Sequence, residues 1–200
     1  GTDVARTAAD MVIVDDNYVT IVSAVEEGRV IFDNLVKSIS FLIAGNLSEI
    51  LTIVLAVSMG LPSPFVPVQI LWINIVTDGL PALALAMDTR HSHVMSHPPR
   101  KTSHGLLHKR QLITIVIYAG IISAITLGVY AYGLRYESSS FTRAATFTVM
   151  IVLQMLLAFA IRGNKKVTTN PFLIIAVTLT LVVQALILQV PLLQEVFHIK

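Results

Sequence analysis

The sequence contains no cysteine, which excludes disulfide bonds and thiolate metal sites within it. Only 13% of its 200 residues are charged, about half the share of a typical soluble domain, whereas 54% are hydrophobic. Together with a mean hydropathy of +0.76, this balance indicates a membrane protein. The net charge of only +2 gives no indication of a nucleic-acid partner.

The first residues lack an initiator methionine and do not resemble a signal peptide. We therefore expect the chain to be the interior of a longer protein. Residues 1–17 are the only soluble-looking stretch, and they are too few to bury a core of their own. Within them, Asp15 and Asp16 favour a turn and a helix start over a metal site.

Long apolar runs predict an all-α fold, a polytopic bundle of about five transmembrane helices. Residues 18–59 contain no proline and follow a helical pattern, charged at first and apolar later. This pattern predicts a long stalk helix that continues into a membrane span. We assign residues 18–200 to a transmembrane domain. Its predicted spans are at about 38–59, 67–87, 111–133, 144–161 and 171–190.

The stretch richest in polar chemistry lies inside the second span. It reads Leu71-Trp72-Ile73-Asn74-Ile75-Val76-Thr77-Asp78-Gly79-Leu80-Pro81. Asn74, Thr77 and Asp78 are spaced i, i+3 and i+4, so a helix places their oxygens on one face. Because proline lacks an N–H, the helix is expected to open at Gly79 and Pro81 and to free carbonyl oxygens. A carboxylate at membrane depth costs about 3 kcal/mol or more, and such oxygen ligands suit calcium or another hard cation.

The first span carries a second polar pair, Asn46 and Glu49, spaced i and i+3. Residues 60–67 form a proline-marked turn, so the two spans are expected to run antiparallel with their polar faces together. Glu49 and Asp78 would then repel one another, so each tends to be protonated when no cation is present. Cation binding is therefore expected to release protons, which favours proton counter-transport. In the fourth span, Gln154 is equally suited to ion ligation and to structural hydrogen bonding.

Basic residues cluster in the loops at 88–110 and 162–170. The positive-inside rule places both loops in the cytoplasm, together with the stalk. The five histidines of the first loop are possible metal ligands, but their irregular spacing and the intervening Pro98-Pro99 favour a solvated loop. Its histidines are His91, His93, His97, His104 and His108.

Four motifs, in this order along the chain, closely resemble the second class of P-type ATPases, above all bacterial pumps of the sarcoplasmic-reticulum calcium pump type. They are Asp10-Met11-Val12-Ile13-Val14-Asp15-Asp16-Asn17, Val25-Glu26-Glu27-Gly28-Arg29, Asn46-Leu47-Ser48-Glu49 and the stretch from Leu71 to Pro81. Met95-Ser96-His97-Pro98-Pro99-Arg100 is similar to the family's loop between its sixth and seventh spans. The resemblance covers essentially the whole chain. It implies that residues 1–17 are the end of an α/β phosphorylation domain and that the five helices are spans five to nine.

The resemblance implies an ATP-driven pump that moves Ca²⁺ out of the cytoplasm across a bacterial plasma membrane. Manganese and sodium pumps of the same family stay open as alternatives. Gln154 occupies a position where the reticulum pumps have a glutamate, so the number of ions per cycle also stays open. The implied ion ligands are Asn46, Glu49, Asn74, Thr77 and Asp78, with Gln154 as a further candidate.

Other hallmarks of the family are not in this sequence: the phosphorylated aspartate of Asp-Lys-Thr-Gly-Thr, the nucleotide domain and the fourth-span ligand helix. The resemblance therefore implies no catalytic residue here and no ATP hydrolysis by this chain alone. ATP and Mg²⁺ would bind the N-terminal half of the same pump, which we expect as a partner alongside membrane lipid. A free-standing, channel-like membrane protein without catalysis, or an inactive relic, stays an alternative.

Overall fold

The computed structural model describes residues 2–13, 17–89, 94–96, 105–163 and 167–199. Asp15, Asp16 and four of the loop histidines lie outside these residues. The described helices are α1 (Asp3–Ala8), α2 (Tyr18–Ser58), α3 (Pro67–Trp72), α4 (Gly79–Ala86), α5 (Lys109–Tyr136), α6 (Ser139–Arg162), α7 (Pro171–Gln189) and α8 (Pro191–Val196). A π-helical turn, Ile73–Thr77, joins α3 to α4, and single 3₁₀ turns occupy Val94–Ser96 and Val167–Thr169.

Five helical segments are long and apolar enough to cross a membrane. They are α2, the continuous segment Pro67–Ala86 that contains α3 and α4, and then α5, α6 and α7. The prediction of an all-α, polytopic bundle is therefore confirmed for the described part of the chain. The exact limits of the spans within these helices, and the division at residue 17, stay predictions.

The stalk and the first span form one uninterrupted helix, α2, of 41 residues. It begins where the Asn17 side chain accepts a hydrogen bond from the Val19 N–H at 3.0 Å. At 1.5 Å per residue the helix is about 60 Å long, about twice the thickness of a bilayer's hydrocarbon core. It ends in a turn at Gly60, whose φ of 74° suits glycine. A rod of this length connects the middle of the bundle to a point well outside it.

The bundle has an apolar core, and its outer surface is apolar as well. Completely buried core residues include Phe41, Ile73, Leu85, Phe147 and Met150. Large aliphatic side chains are nevertheless exposed on the outside, among them Leu71, Ile113 and Ile175. A helix that is hydrophobic on all sides is typical of a membrane span, because lipid rather than water faces its outer side.

One end of the bundle, here called the stalk end, is where α5 begins and where α4 and α6 end. A buried ion-pair network, the Asp88 cluster, lies there. Asp88 accepts from the Arg162 Nε at 3.1 Å and from the Asn170 Nδ2 at 3.1 Å. Its second carboxylate oxygen is 3.5 Å from the Lys37 Nζ, and its backbone carbonyl accepts from the Asn34 Nδ2 at 2.7 Å. The cluster joins α2, α6 and α7 around the end of α4.

The sequence pattern placed Asp88 and Arg162 in polar loops, whereas the structure buries both side chains. Burial is tolerated because two cations neutralise the one carboxylate and amides satisfy the remaining hydrogen bonds. Arg162 is the last residue of α6, so its charge also compensates the helix dipole there.

The residues after α8 fold back onto α3. The Gln69 Nε2 donates to the Phe197 carbonyl oxygen at 3.0 Å, across a sequence separation of 128 residues. Trp72 packs edge-on against the Phe197 ring, with 5.4 Å between the ring centroids. The Phe197 ring also stacks on Phe147 of α6, with 5.8 Å between the ring centroids. These contacts fix the start of the second membrane segment against α6.

Candidate cation site

Three buried polar side chains meet between α2, the π-helical turn and α6. Glu49 on α2 is 3% exposed, Asp78 after the turn is 1% exposed, and Gln154 on α6 is fully buried. Charged groups are rarely this deeply buried without a partner, because leaving water costs several kcal/mol per ion. Their burial in the middle of an apolar bundle is therefore the feature that requires an explanation.

Two amide groups from different helices fix the Glu49 carboxylate. The Gln154 Nε2 donates to the Glu49 Oε1 at 2.9 Å. The Asn74 Nδ2 donates to the Glu49 Oε2 at 3.0 Å and to the Ile70 carbonyl oxygen at 2.9 Å. Glu49 thus connects α2 to both other sides of the site. The antiparallel arrangement of the first two spans predicts the contact with Asn74 but not the contact with Gln154.

Asp78 differs from Glu49 in its hydrogen bonding. Both of its carboxylate oxygens are buried and have no hydrogen-bond partner among the described residues. The Gln154 Oε1 is likewise buried and unpaired in this part of the chain. Buried oxygens without a donor are uncommon and costly. Together they are the kind of ligand that a hard cation prefers.

The irregular part of the second span is a π-helical turn, Ile73–Thr77. The Asp78 N–H bonds the Ile73 carbonyl oxygen five residues back, at 2.9 Å, and the Thr77 hydroxyl donates to the same oxygen at 2.6 Å. The expected opening at Gly79 and Pro81 was wrong, because both residues lie inside α4. Pro81 is the third residue of α4, where a missing N–H is tolerated, and the wider turn before it absorbs the mismatch.

The remaining predicted ligands lie at the edge of this cluster. Thr77 is buried beside Asp78, whereas Asn74 is exposed even though it reaches Glu49. Asn46 is exposed on α2, three residues before Glu49, and its role as a ligand stays a prediction. The cluster is therefore closed by α6 on one side and open on the side of Asn46 and Asn74.

Other metal arrangements are not supported in the described ranges. No group of three histidine, aspartate or glutamate side chains lies close enough together there to hold a metal ion. The site has two carboxylates completed by amide and hydroxyl oxygens. This donor set favours a hard cation over a transition metal.

Sequence reasoning missed Gly45, which forms the α2 wall of the site. A Cβ at this position would lie 3.2 Å from the Asp78 Oδ2 and 3.5 Å from the Gln154 Nε2. Gly45 precedes Glu49 by four residues, so its place on the same helix face could have been read from the spacing. The absence of a side chain leaves the space between Asp78 and Gln154 open.

Replacing Gly45 by alanine should lower the apparent cation affinity of the full-length protein about tenfold, because crowding a packed site costs about 1–3 kcal/mol. The measurement is the cation concentration that half-saturates equilibrium cation binding to the purified protein. Gly28→Ala is the matched control, since a Cβ at Gly28 of the same helix meets nothing within 4 Å. Equal cation affinities in the two variants would contradict the role assigned to Gly45.

Comparison with known proteins identifies the family of this chain. Residues 62–200 match the family described as "Cation transporting ATPase, C-terminus". The chain belongs to this family. The match includes the Asn74–Asp78 stretch, the Asp88 cluster apart from its α2 residues, and Gln154.

Named relatives in this family are bacterial calcium-transporting ATPases. The chain is 38% identical over 205 residues to the "Calcium-transporting ATPase" of Bacillus subtilis (strain 168), covering 99% of the chain and 23% of that protein. It is also 38% identical to the "Calcium-transporting ATPase 1" of Lactococcus lactis subsp. lactis (strain IL1403), covering 100% of the chain and 23% of that protein. The "Calcium-transporting ATPase 1" of Bacillus cereus (strain ATCC 10987 / NRS 248) is 34% identical over 223 residues, covering all of the chain and 25% of that protein. The chain thus spans about a quarter of the length of these relatives.

Proposed function

We propose that this chain is the ion-binding membrane region of an ATP-driven pump that moves Ca²⁺ out of the cytoplasm. The observation that carries the proposal is the pair of buried, unpaired Asp78 oxygens beside Glu49 and Gln154. A cation placed there would gain two carboxylates and an amide oxygen, which is a calcium-like ligand set. The names of its relatives favour Ca²⁺ over Mn²⁺ and Na⁺.

The two carboxylates differ in how far they are ordered before a cation binds. Glu49 is already oriented by the amide groups of Asn74 and Gln154, so little order is lost when a cation arrives. Asp78 has no such donor among the described residues and would gain a strong partner from the cation. We propose that the buried Thr77 and the exposed Asn46 and Asn74 complete the shell. A helix from the rest of the pump would close the open side, where Asn46 and Asn74 lie.

The long helix α2 suggests how the site would be opened and closed. It carries Glu49 in the bundle and extends without a break to Tyr18 outside it. We propose that ATP and Mg²⁺ act in the N-terminal half of the same protein and that phosphorylation there tilts α2. Moving Glu49 relative to Asp78 would separate the two carboxylates and weaken the site, as alternating access requires.

Charge balance supports counter-transport. Once the cation leaves, the two carboxylates lie close together in an apolar surrounding with no counter-ion, an arrangement that costs several kcal/mol. We propose that protons neutralise them on the return half of the cycle.

We propose that the stalk end and the loops at 88–110 and 162–170 face the cytoplasm of a bacterium, with lipid around α5 and α7.

The test is the cation dependence of phosphorylation in the purified full-length protein. Labelled ATP is supplied with Ca²⁺, Mn²⁺ or Na⁺ in turn, and the acid-stable phosphoenzyme is counted. We expect Ca²⁺ to give the phosphoenzyme at the lowest concentration, and inverted membrane vesicles to accumulate Ca²⁺ when ATP is added. Phosphorylation that responds only to Mn²⁺ or Na⁺ would overturn the choice of calcium. A protein that no cation stimulates would overturn the pump itself and leave a non-catalytic membrane protein.

A further inference from the structure

A cavity lies outside the cation site, at the stalk end of the bundle. It has a volume of about 220 Å³ and opens between α2, α5 and α6. Two cationic residues line it, Lys37 from α2 and Arg110 from α5, with Thr114 and Tyr118 adding hydroxyl groups. Its apolar wall includes Ile115 and Ile161. The cavity therefore combines positive charge, hydrogen-bonding groups and an apolar floor.

The cavity lies at the level where the apolar part of the bundle begins. Lys37 directly precedes the apolar half of α2, and Arg110 is the second residue of α5. Ile161 is the last residue but one of α6. The start of α5 and the end of α6 therefore meet the middle of α2 at the depth where lipid headgroups contact a membrane protein.

The charge around the cavity is positive. Lys37 is 3.5 Å from the Asp88 carboxylate, but Asp88 also pairs with Arg162 at 3.1 Å, so these three groups carry a net charge of +1. Arg110 adds a second positive charge, and no carboxylate is among the lining residues. Asp33, one turn before Lys37, is exposed and is not part of the lining. Among the described residues, an anion entering the cavity would meet two cationic side chains, of which Lys37 also contacts the buried Asp88 behind the lining.

We propose that this cavity binds the phosphate headgroup of an anionic phospholipid. The helices on both sides offer apolar surface for the acyl chains further into the bundle. Ile43 is exposed on α2 three residues after Ser40 of the lining, and Ile117 is exposed on α5 three residues after Thr114. At that spacing each isoleucine continues the helix face that lines the cavity. A soluble anion would use the positive charge but not this apolar continuation.

The test is lipid retention by the purified full-length protein in detergent, followed by native mass spectrometry during titration with phosphatidylglycerol or phosphatidylcholine. Arg110→Gln should weaken phosphatidylglycerol binding about fivefold, the effect expected for one basic residue at a lipid surface. Lys109→Gln removes the same charge one residue earlier, from a residue that does not line the cavity, and should bind like wild type. Arg110→Lys keeps the charge and should bind within about twofold of wild type.

Equal lipid binding by Arg110→Gln and Lys109→Gln would overturn the proposal, because it would show general attraction to a basic surface. Inorganic phosphate that competes with phosphatidylglycerol at equal concentration would also overturn it, in favour of a soluble anion. Thermal unfolding in phosphatidylcholine shows whether each variant is folded, independently of lipid retention. The readout does not involve ion transport, so its failure would not bear on the proposed pump.

Discussion

Asp78→Asn should lower the apparent cation affinity of the full-length protein by about 100-fold or more, because removing one charge from a buried ionic contact costs about 3 kcal/mol or more. Asparagine keeps the size of the side chain, so the packing beside Gly45 is retained. Its amide also offers one oxygen where the carboxylate offers two, both of which are buried and unpaired in the described structure. The measurement is cation-dependent phosphorylation by ATP over a wide range of cation concentration.

The same substitution at Asp33 serves as the control for Asp78→Asn. Asp33 is also a carboxylate on a helix of this bundle, but it is exposed on the stalk part of α2. Asp33→Asn should leave the half-saturating cation concentration within about twofold of wild type, since an exposed surface charge contributes little. Wild-type cation dependence in Asp78→Asn would remove Asp78 from the ion ligands and, with it, the main argument for the site.

Asp88→Ala should destabilise the bundle by about 3–5 kcal/mol, because it leaves the buried Arg162 guanidinium without its carboxylate. It also removes an acceptor for the Asn170 side chain. The loss corresponds to a drop on the order of 10 °C in the thermal unfolding midpoint for a domain of this size. The measurement is thermal unfolding of the purified protein in detergent.

A double-mutant cycle separates this interaction from simple loss of packing. Arg162→Ala introduced into Asp88→Ala removes the orphaned charge, so part of the lost stability should return. Lys37→Ala is the milder comparison, since the Lys37 side chain is 15% exposed and its ion pair is longer. The contradicting result is that Arg162→Ala lowers the free energy of unfolding of the Asp88→Ala variant by as much as it lowers that of the wild type. That result would show that the two side chains are not coupled.

The course of the helices could be predicted from the sequence because local signals mark their ends. Pro67 and Pro171 each stand at the first position of a helix, where proline needs no N–H donor. The start of α6 was less clear from the pattern, since apolar residues dominate only from Ala144. The structure shows that Ser138 caps this helix through the Phe141 N–H at 3.3 Å, so it begins before the apolar run.

The candidate site could be predicted only as far as helix spacing allows. The spacing of Asn74 and Asp78 predicts that they share one helix face. No residue pattern in this stretch predicted the π-helical turn. The bond between Glu49 and Gln154 spans 105 residues, and local pattern does not tell which distant helix packs against α2. The exposure of Asn46 has the same origin, because it depends on which helices cover that face of α2.

The ion pair between Asp88 and Arg162 could not be predicted from the sequence, for a physical reason. Each residue follows an apolar run directly, and in isolation that position is typical of a loop or a snorkelling side chain. Only the meeting of two helix ends converts the two charges into a buried pair, across 74 residues of sequence. Burial of opposite charges at two helix ends is thus a property of the assembled bundle.

The contacts of Phe197 have a consequence for the order in which this region is completed during synthesis. Gln69 and Trp72 are held by a residue that leaves the ribosome about 125 residues later, a delay on the order of ten seconds at usual elongation rates. Until then, α3 lacks the hydrogen bond and the ring contact that Phe197 provides. The start of the second membrane segment would thus acquire its last contacts only after Glu49 and Gln154 have already been synthesised.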